Sequence, residues 1–425
     1  MTAQFSRQLY ILMGLLLTLF FFGNLDVQII SPILPALTES FNISVFLAGF
    51  SVSAYSISGA FWALIIGPLS DRHGRIVFLR IAAIAFAIAA AMAFGANHYG
   101  MFVLARIVAG FAGGSFTACI IAQIADLFPY QRRGRAMGVV GAVYSLAAVI
   151  GVPVGAVMAA NYGWRSIYVF FSFAALVMAL FLGKRAQRAA DKFSAQNVDA
   201  PKKPDQSDQK PIHRIITNQV NEYWQFWSTR QTRDGLLVAL SIAATSTSLM
   251  TFLGAWLADG FGLRGSAVAF VFLAAGISTV LGSVLGGFLA DKIGKRRLVI
   301  ACSLIITFVL LSTAFVQTVS ATYGFCVTGG LFIAMRQGPY EAILTELVPQ
   351  HQRGAYIAMR STIAKLAIAA TAAIAGYLYD ISGFVAVTAF SSLASLGAAA
   401  LMHFSFLETQ KAVHSPNLEN QLSAK

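Results

Sequence analysis

Asp26 is the residue of this sequence best suited to chemistry. It stands in Gly23-Asn24-Leu25-Asp26-Val27-Gln28, inside an apolar stretch long enough to cross a bilayer. A lone charged carboxylate in hydrocarbon is disfavoured by about 2.5–3.5 kcal/mol on insertion scales, so it must take up a proton or find a cation. Arg106, about a third of the way into the fourth apolar stretch, is the candidate cation. An acid that alternates between a proton and a cationic partner is what coupling to a proton gradient requires. The same residues also allow a fixed ion pair, an Asp26 bonded to Asn24 and Gln28, or an Arg106 bonded to the carbonyls of a bent neighbouring helix.

A second group of charges lies in the C-terminal half: Arg336, Glu341 and Lys365. The two cations in one cavity would hold an anionic or zwitterionic solute, with pairing of Glu341 to Lys365 or Arg336 as the alternative. Neutral hydrogen bonds to a solute are available from Asn24, Gln28, Tyr55, Gln123 and Tyr144 in the first half, and from Ser248, Gln337 and Tyr340 in the second. The six histidines are scattered over loops and ends, with no His-Glu-x-x-His and no converging nucleophile and base, and there is no glycine-rich phosphate loop for ATP. Hence no enzyme, cofactor or metal is expected. Cys119, Cys302 and Cys326 have no paired spacing and read as small packing residues.

The elements that must position these groups are membrane helices. With 57% hydrophobic and 11% charged residues in 425, the chain is too apolar for a soluble globule. It reads as an all-α membrane protein of twelve transmembrane helices. The expected spans are about 9–37, 44–69, 77–96, 99–127 and 136–160, a sixth after Gly163-Trp164-Arg165, and then 233–258, 265–290, 298–317, 321–346, 356–378 and 383–407. In the second, Ser51, Tyr55, Ser58 and Trp62 are spaced by three and four and share one inward face. In the fifth, Gly151-Val152-Pro153-Val154-Gly155 makes a bend at mid-membrane.

Residues 1–184 and 233–407 are thus two six-helix bundles. Residues 185–232 form a linker, disordered to about 211 by composition and ending in an interfacial amphipathic helix at about 212–228; 408–425 is a polar tail. The net charge of +13 is not a nucleic-acid footprint. Of the 30 Lys and Arg residues, all but Arg165 and Arg264 on one side and Arg106, Arg336 and Lys365 inside fall on the other side. That bias marks the cytoplasmic face, so both termini are expected in the cytoplasm of a bacterial inner (plasma) membrane. The expected partners are lipid, protons and a small-molecule substrate, with no nucleic acid and a monomeric chain.

The chain is also duplicated. Gly67-Pro68-Leu69-Ser70-Asp71-Arg72-His73-Gly74-Arg75 returns as Gly287-Phe288-Leu289-Ala290-Asp291-Lys292-Ile293-Gly294-Lys295, an offset of 220. Asp126-Leu127-Phe128-Pro129 with Arg133-Gly134 returns at the same offset as Glu346-Leu347-Val348-Pro349 with Arg353-Gly354. The pattern Gly67-x-Leu69-x-Asp71-Arg72-x-Gly74-Arg75, with its duplicate, resembles the loop signature of the major facilitator superfamily of secondary transporters. Arg106-x-x-x-Gly110 with Gly113 and Gly114, the Gly-x-Pro-x-Gly of the fifth span, and Leu25-Asp26 with Pro35 are similar to motifs of its proton-antiporter branch of drug and metabolite exporters. The fifth-span motif departs from the usual Gly-Pro by Val152, as in some metabolite exporters.

The resemblance implies two pseudo-symmetric bundles that rock about a midplane site. It implies proton exchange at Asp26 and Arg106, and a helix bend at Gly151, Pro153 and Gly155 that helps to close the inner path. It further implies a latch of Gly67, Asp71, Arg72, Gly74 and Arg75, with Asp126 as the partner of Arg75 and Asp291 in the second copy. In that latch Asp71 faces the N-terminus of the eleventh helix. The function implied is export of a small amphipathic molecule by proton antiport; transport of an anionic or zwitterionic metabolite or lipid through Arg336 and Lys365 is the alternative.

Overall fold

The computed structural model describes residues 3–128, 130–196, 223–349 and 352–404, and within them the chain is helical with short connections. Nine of the described helices are long and apolar enough to cross a membrane. One of these, Arg353–Phe404, has 52 residues. At 1.5 Å per residue that is far more than a bilayer needs, and Gly383, at φ +71°, divides it into the eleventh and twelfth spans. The shorter apolar helix Arg165–Phe181 and the charged Val319–Glu346 complete the twelve. Large side chains such as Phe173, Leu180, Val284 and Phe308 stand two-thirds or more exposed on the outer faces, where lipid rather than water is the natural solvent. The protein is an integral, multi-pass membrane protein.

Two spans are interrupted, each for a local reason. The first breaks between Ala3–Gln28 and Ile30–Phe41. Pro32 has no N–H to give to the carbonyl four residues back, so the turn at Gln28 loosens, and the chain continues as helix through Pro35 instead of ending there. The fifth runs from Tyr130–Leu146 through a π-helical turn, Ala147–Gly151, into Val152–Tyr162. Pro153 again removes a donor, and the wider turn is how the helix accommodates it.

The duplication is visible in the packing. The second span (Val45–His73) packs on the fourth (Tyr99–Leu127), as the eighth (Ser266–Ile293) does on the tenth. The third (Arg75–Phe94) packs on the fourth and sixth, and the ninth (Lys295–Leu311) correspondingly on the tenth and on the Arg353–Phe404 run. Gly110 lies so close to the second span that an added Cβ would sit 2.3 Å from the Tyr55 carbonyl oxygen. Its counterpart 220 residues on, Gly330, would meet the carbonyl of Ala275, the counterpart of Tyr55, at 3.0 Å.

The halves join through the second span against the eleventh, the first against the seventh (Arg230–Phe261), and the fifth against the eighth. Three of the bonds at these seams lie toward the end away from the basic turns. Asp380 accepts from the Phe46 amide, Ser53 donates to the Ala369 carbonyl at 2.6 Å, and Arg264 pairs with Glu39 at 3.0 Å.

The linker differs from its expected disorder at its start. Lys184–Gln196 is a helix that packs on the first, third and fourth spans through buried Ala186, Ala190 and Phe193. Its apolar residues recur at four and seven, which is what gives a short polar segment one side to bury. Most of the expected interfacial helix, 212–222, lies outside the described residues, as do the tail, 408–425, and Arg133's turn at Pro129. Residues 223–228 are helical, with Trp224 exposed and Phe226 buried against Tyr356.

Candidate functional site

Asp26 and Arg106 form a buried ion pair. One guanidinium nitrogen, Nη1, donates to both carboxylate oxygens at 2.7 Å, and Nη2 reaches the Asp26 main-chain carbonyl at 3.4 Å. The side chains are 2% and 1% exposed. Of the alternatives open at Asp26, bonding to Asn24 and Gln28 is not what forms, since Asn24 Nδ2 donates to the Phe20 carbonyl and Gln28 Nε2 is buried without a partner; the pair that forms suits a fixed bridge as well as a titrating one.

Tyr55 of the second span covers the pair. Its ring centroid lies 4.7 Å from Arg106 Cζ, and its hydroxyl donates to the Gly23 carbonyl at 3.2 Å. The glycine strip of the fourth span makes this possible, because a Cβ at Gly113 would fall 1.8 Å from the Tyr55 hydroxyl. On the side away from Tyr55, Asp26 and Arg106 border a gap of about 10 Å³ with Phe86 and Tyr168.

Across Tyr55 lies the larger space, a cavity of about 160 Å³ between the two halves. Its polar wall includes Asn24, Gln28, Tyr55, Ser56, Thr117, Tyr144 and Lys365, and its apolar wall includes Phe20, Val27, Phe116 and Ile368. Lys365 enters from the eleventh span and donates across the seam to the Gly59 carbonyl at 3.4 Å. The bent fifth span backs the first: added Cβ atoms at Gly151 and Gly155 would meet Leu25 and Ile29 at 2.7 and 2.3 Å. Both contacts flank Asp26, so the glycines around Pro153 fix how closely the bend approaches the ion pair.

The other expected cavity residues lie elsewhere. Arg336 is fully buried behind the tenth span, with Nη1 3.3 Å from Ser303 Oγ on the ninth and 3.4 Å from Ser395 Oγ on the twelfth. Ser248 bonds Ser391 of the twelfth span, and Tyr340 donates to the Gly235 carbonyl at 3.0 Å. Glu341 pairs with neither Lys365 nor Arg336; it accepts from Arg360 at 2.6 Å and from Gln337 at 3.0 Å. Gln123 is buried on the fourth span and does not border the cavity. The reason is angular. Arg336 and Glu341 are five residues apart, about 140° around a helix, and cannot face one cavity together.

At the basic turns, Arg75 bridges Asp126 and Asp71, with its Nη2 2.7 Å from the Asp71 carboxylate. The second copy repeats the first contact as Lys295 with Glu346. Asp71 is exposed and held by its own half, so the expected docking onto the eleventh helix is not made among the described residues. Arg72 ends the second span, Gly74 takes φ +96° between the second and third, and Gly67 has open space around it. Asp291 is exposed in the second turn.

Thr117, Gly59 and Arg360 were not singled out from sequence. Thr117 is four residues from Gly113 and so shares its face, which is a readable signal. Arg360 hides among the basic residues at the start of the eleventh span. The three cysteines are free and buried, and no group of residues that could hold a metal occurs among the described residues.

Comparison with known proteins bears on the family and the fold. Over 162 residues the chain is 31% identical to the uncharacterized MFS-type transporter YwfA of Bacillus subtilis (strain 168), covering 38% of this chain and 39% of that one. It is 26% identical over 252 residues to the uncharacterized MFS-type transporter YceJ of the same organism, covering 59% and 60%. With multidrug resistance protein 2, also of Bacillus subtilis, it shares 27% identity over 166 residues, covering 39% and 41%. The matches therefore span about two-fifths to three-fifths of these relatives' lengths. The inward-facing, occupied crystal structure of a bacterial homologue of the human lysosomal transporter Spinster superposes with a TM-score of 0.72 at 14% identity, covering 96% of this chain and 99% of that one, which shows the fold. The family profile described as Major Facilitator Superfamily matches residues 16–244 and 235–424, and with twelve helices in two like sets, the chain belongs to the Major Facilitator Superfamily.

Proposed function

We propose that this protein is a proton-coupled secondary transporter that exports a small amphipathic molecule by antiport, through alternating access of the cavity between its halves. One observation carries this reading: a fully buried ion pair, Asp26 with Arg106, stands one side chain away from that cavity, with Tyr55 between. A carboxylate so placed needs Arg106 when charged and does not when protonated, so proton uptake frees the guanidinium and changes the hold of the first span on the fourth. The seam bonds toward the end opposite the basic turns support an inward-facing state, if the basic end lies in the cytoplasm as the positive-inside bias directs. In this state Asp71 is out of its latch, ready to dock when the halves rock back. Names of relatives such as multidrug resistance protein 2 support export.

The test uses proteoliposomes with an imposed pH gradient and an internal pH dye, challenged with a panel of amphipathic compounds. A transported compound should discharge the gradient in the wild type, and export should speed up as the pH on the receiving side falls at fixed internal pH. Asp26→Asn should bind the same compound but show no proton flux and no pH dependence. Proton flux in Asp26→Asn equal to the wild type would end the coupling role.

A further inference from the structure

Among the described residues Lys365 has no counter-ion. Its single bond among the described residues is the 3.4 Å contact to the Gly59 carbonyl. The carboxylates that might serve it are engaged elsewhere: both oxygens of Asp26 are taken by Arg106 on the far side of Tyr55, and Glu341 is held by Arg360. The cavity wall offers a second donor without an acceptor, because Gln28 Nε2 is buried and unpartnered. Lys365 and Gln28 therefore line one space, the Gln28 amide N–H lying just beneath its surface, and Phe20, Val27, Phe116 and Ile368 give that space an apolar side. Charged groups away from water demand compensation, and among the described residues Lys365 has only the one long bond to a main-chain carbonyl and no opposite charge.

We infer that the molecule taken into this cavity is an organic anion with an apolar body, its carboxylate held by Lys365 Nζ and Gln28 Nε2. This rests on the reading of the cavity as the transport site and names its substrate class. Lys365 is then the residue that selects charge, and Phe20 and Phe116 receive the body. Occupancy has a mechanical side. Lys365 leaves the Gly59 carbonyl to meet the anion, which releases a bond tying the second span to the eleventh.

The experiment measures binding to the purified, full-length protein in detergent by thermal shift, at neutral pH, with three probes that share a body and differ in charge: 4-phenylbutyrate, 4-phenylbutanamide and 4-phenylbutylamine. The carboxylate should bind at least tenfold tighter than the amide, and the amine more weakly still. Lys365→Met and Gln28→Leu should each lose that preference, while Lys365→Arg keeps affinity within about threefold. The melting temperature of each unliganded variant reports whether it folds; should Lys365→Met not fold, the charge series on the wild type with Gln28→Leu decides. The inference is overturned if amide or amine binds as well as the carboxylate, if no probe binds saturably, or if Lys365→Met keeps the preference. Charge selection is read here as binding without a pH gradient, and coupling as proton flux in proteoliposomes, so loss of one and loss of the other are separate outcomes.

Discussion

Each half of the molecule buries one arginine on its fourth helix, and the two are housed in opposite ways. Arg106 meets a carboxylate with both oxygens in reach. Arg336 meets two serine hydroxyls, and its Nε and Nη2 have no partner. The first charge is neutralised behind Tyr55, one side chain from the cavity, and on the proposed coupling a proton undoes the pairing. The second sits behind its helix, between the ninth and twelfth spans, out of the solute's reach. Duplication thus kept the frame while the interior diverged: the first half holds the acid, and the second contributes Lys365.

The strongest way to break this contrast is to remove each arginine. Arg106→Met strands the Asp26 carboxylate and should cost about 3–5 kcal/mol of stability, most of it recovered in the Arg106→Met, Asp26→Asn double variant. Arg336→Met strands no carboxylate and should stay within about 1 kcal/mol of the wild type or stabilise it. Unfolding in mixed detergents, read by circular dichroism, compares them; equal losses would erase the distinction.

A smaller effect separates the matched glycines. Gly110→Ala drives a methyl group into the Tyr55 carbonyl and should cost about 1–3 kcal/mol, whereas Gly330→Ala, with 3.0 Å to the Ala275 carbonyl and a movable Ser278 hydroxyl beside it, should cost less. Melting temperatures of the two variants test the order. The smallest effect is at the turns. Lys295 and Glu346 are 38% and 59% exposed, so Lys295→Ala should change stability by less than about 1 kcal/mol; Arg75→Ala, which breaks a bridge that is 12% and 20% exposed and has Asp71 as a third member, should exceed it. A larger loss from Lys295→Ala would reverse the ranking of the two copies.

The frame was legible because repeats and apolar lengths are properties of sequence alone. The family resemblance implied Arg75 with Asp126, and the offset of 220 located the turn where Lys295 meets Glu346. The pairing of Asp26 with Arg106 was readable as well, since a buried acid has few cations to choose from. The second half of the site was not. Composition grouped Arg336, Glu341 and Lys365 as one cluster, but their rotation about two helices sends Arg336 outward, Glu341 to Arg360 and Lys365 alone into the cavity. Lys184–Gln196 was misread for a related reason, as charge content hid a burial period at Ala186, Ala190 and Phe193.

Gly59 has an evolutionary consequence. Its carbonyl oxygen lies 2.4 Å from where a Cβ on Gly114 would stand, and a Cβ on Gly59 itself would come within 3.2 Å of the Gly110 carbonyl. Two helices thus crowd one bare stretch of main chain, with Lys365 of the eleventh bonded to it, and a side chain at Gly114 would prise them apart. On the proposed reading of the cavity, a change of cargo has to come from the side chains around that crossing, Gln28, Thr117 and Lys365 first.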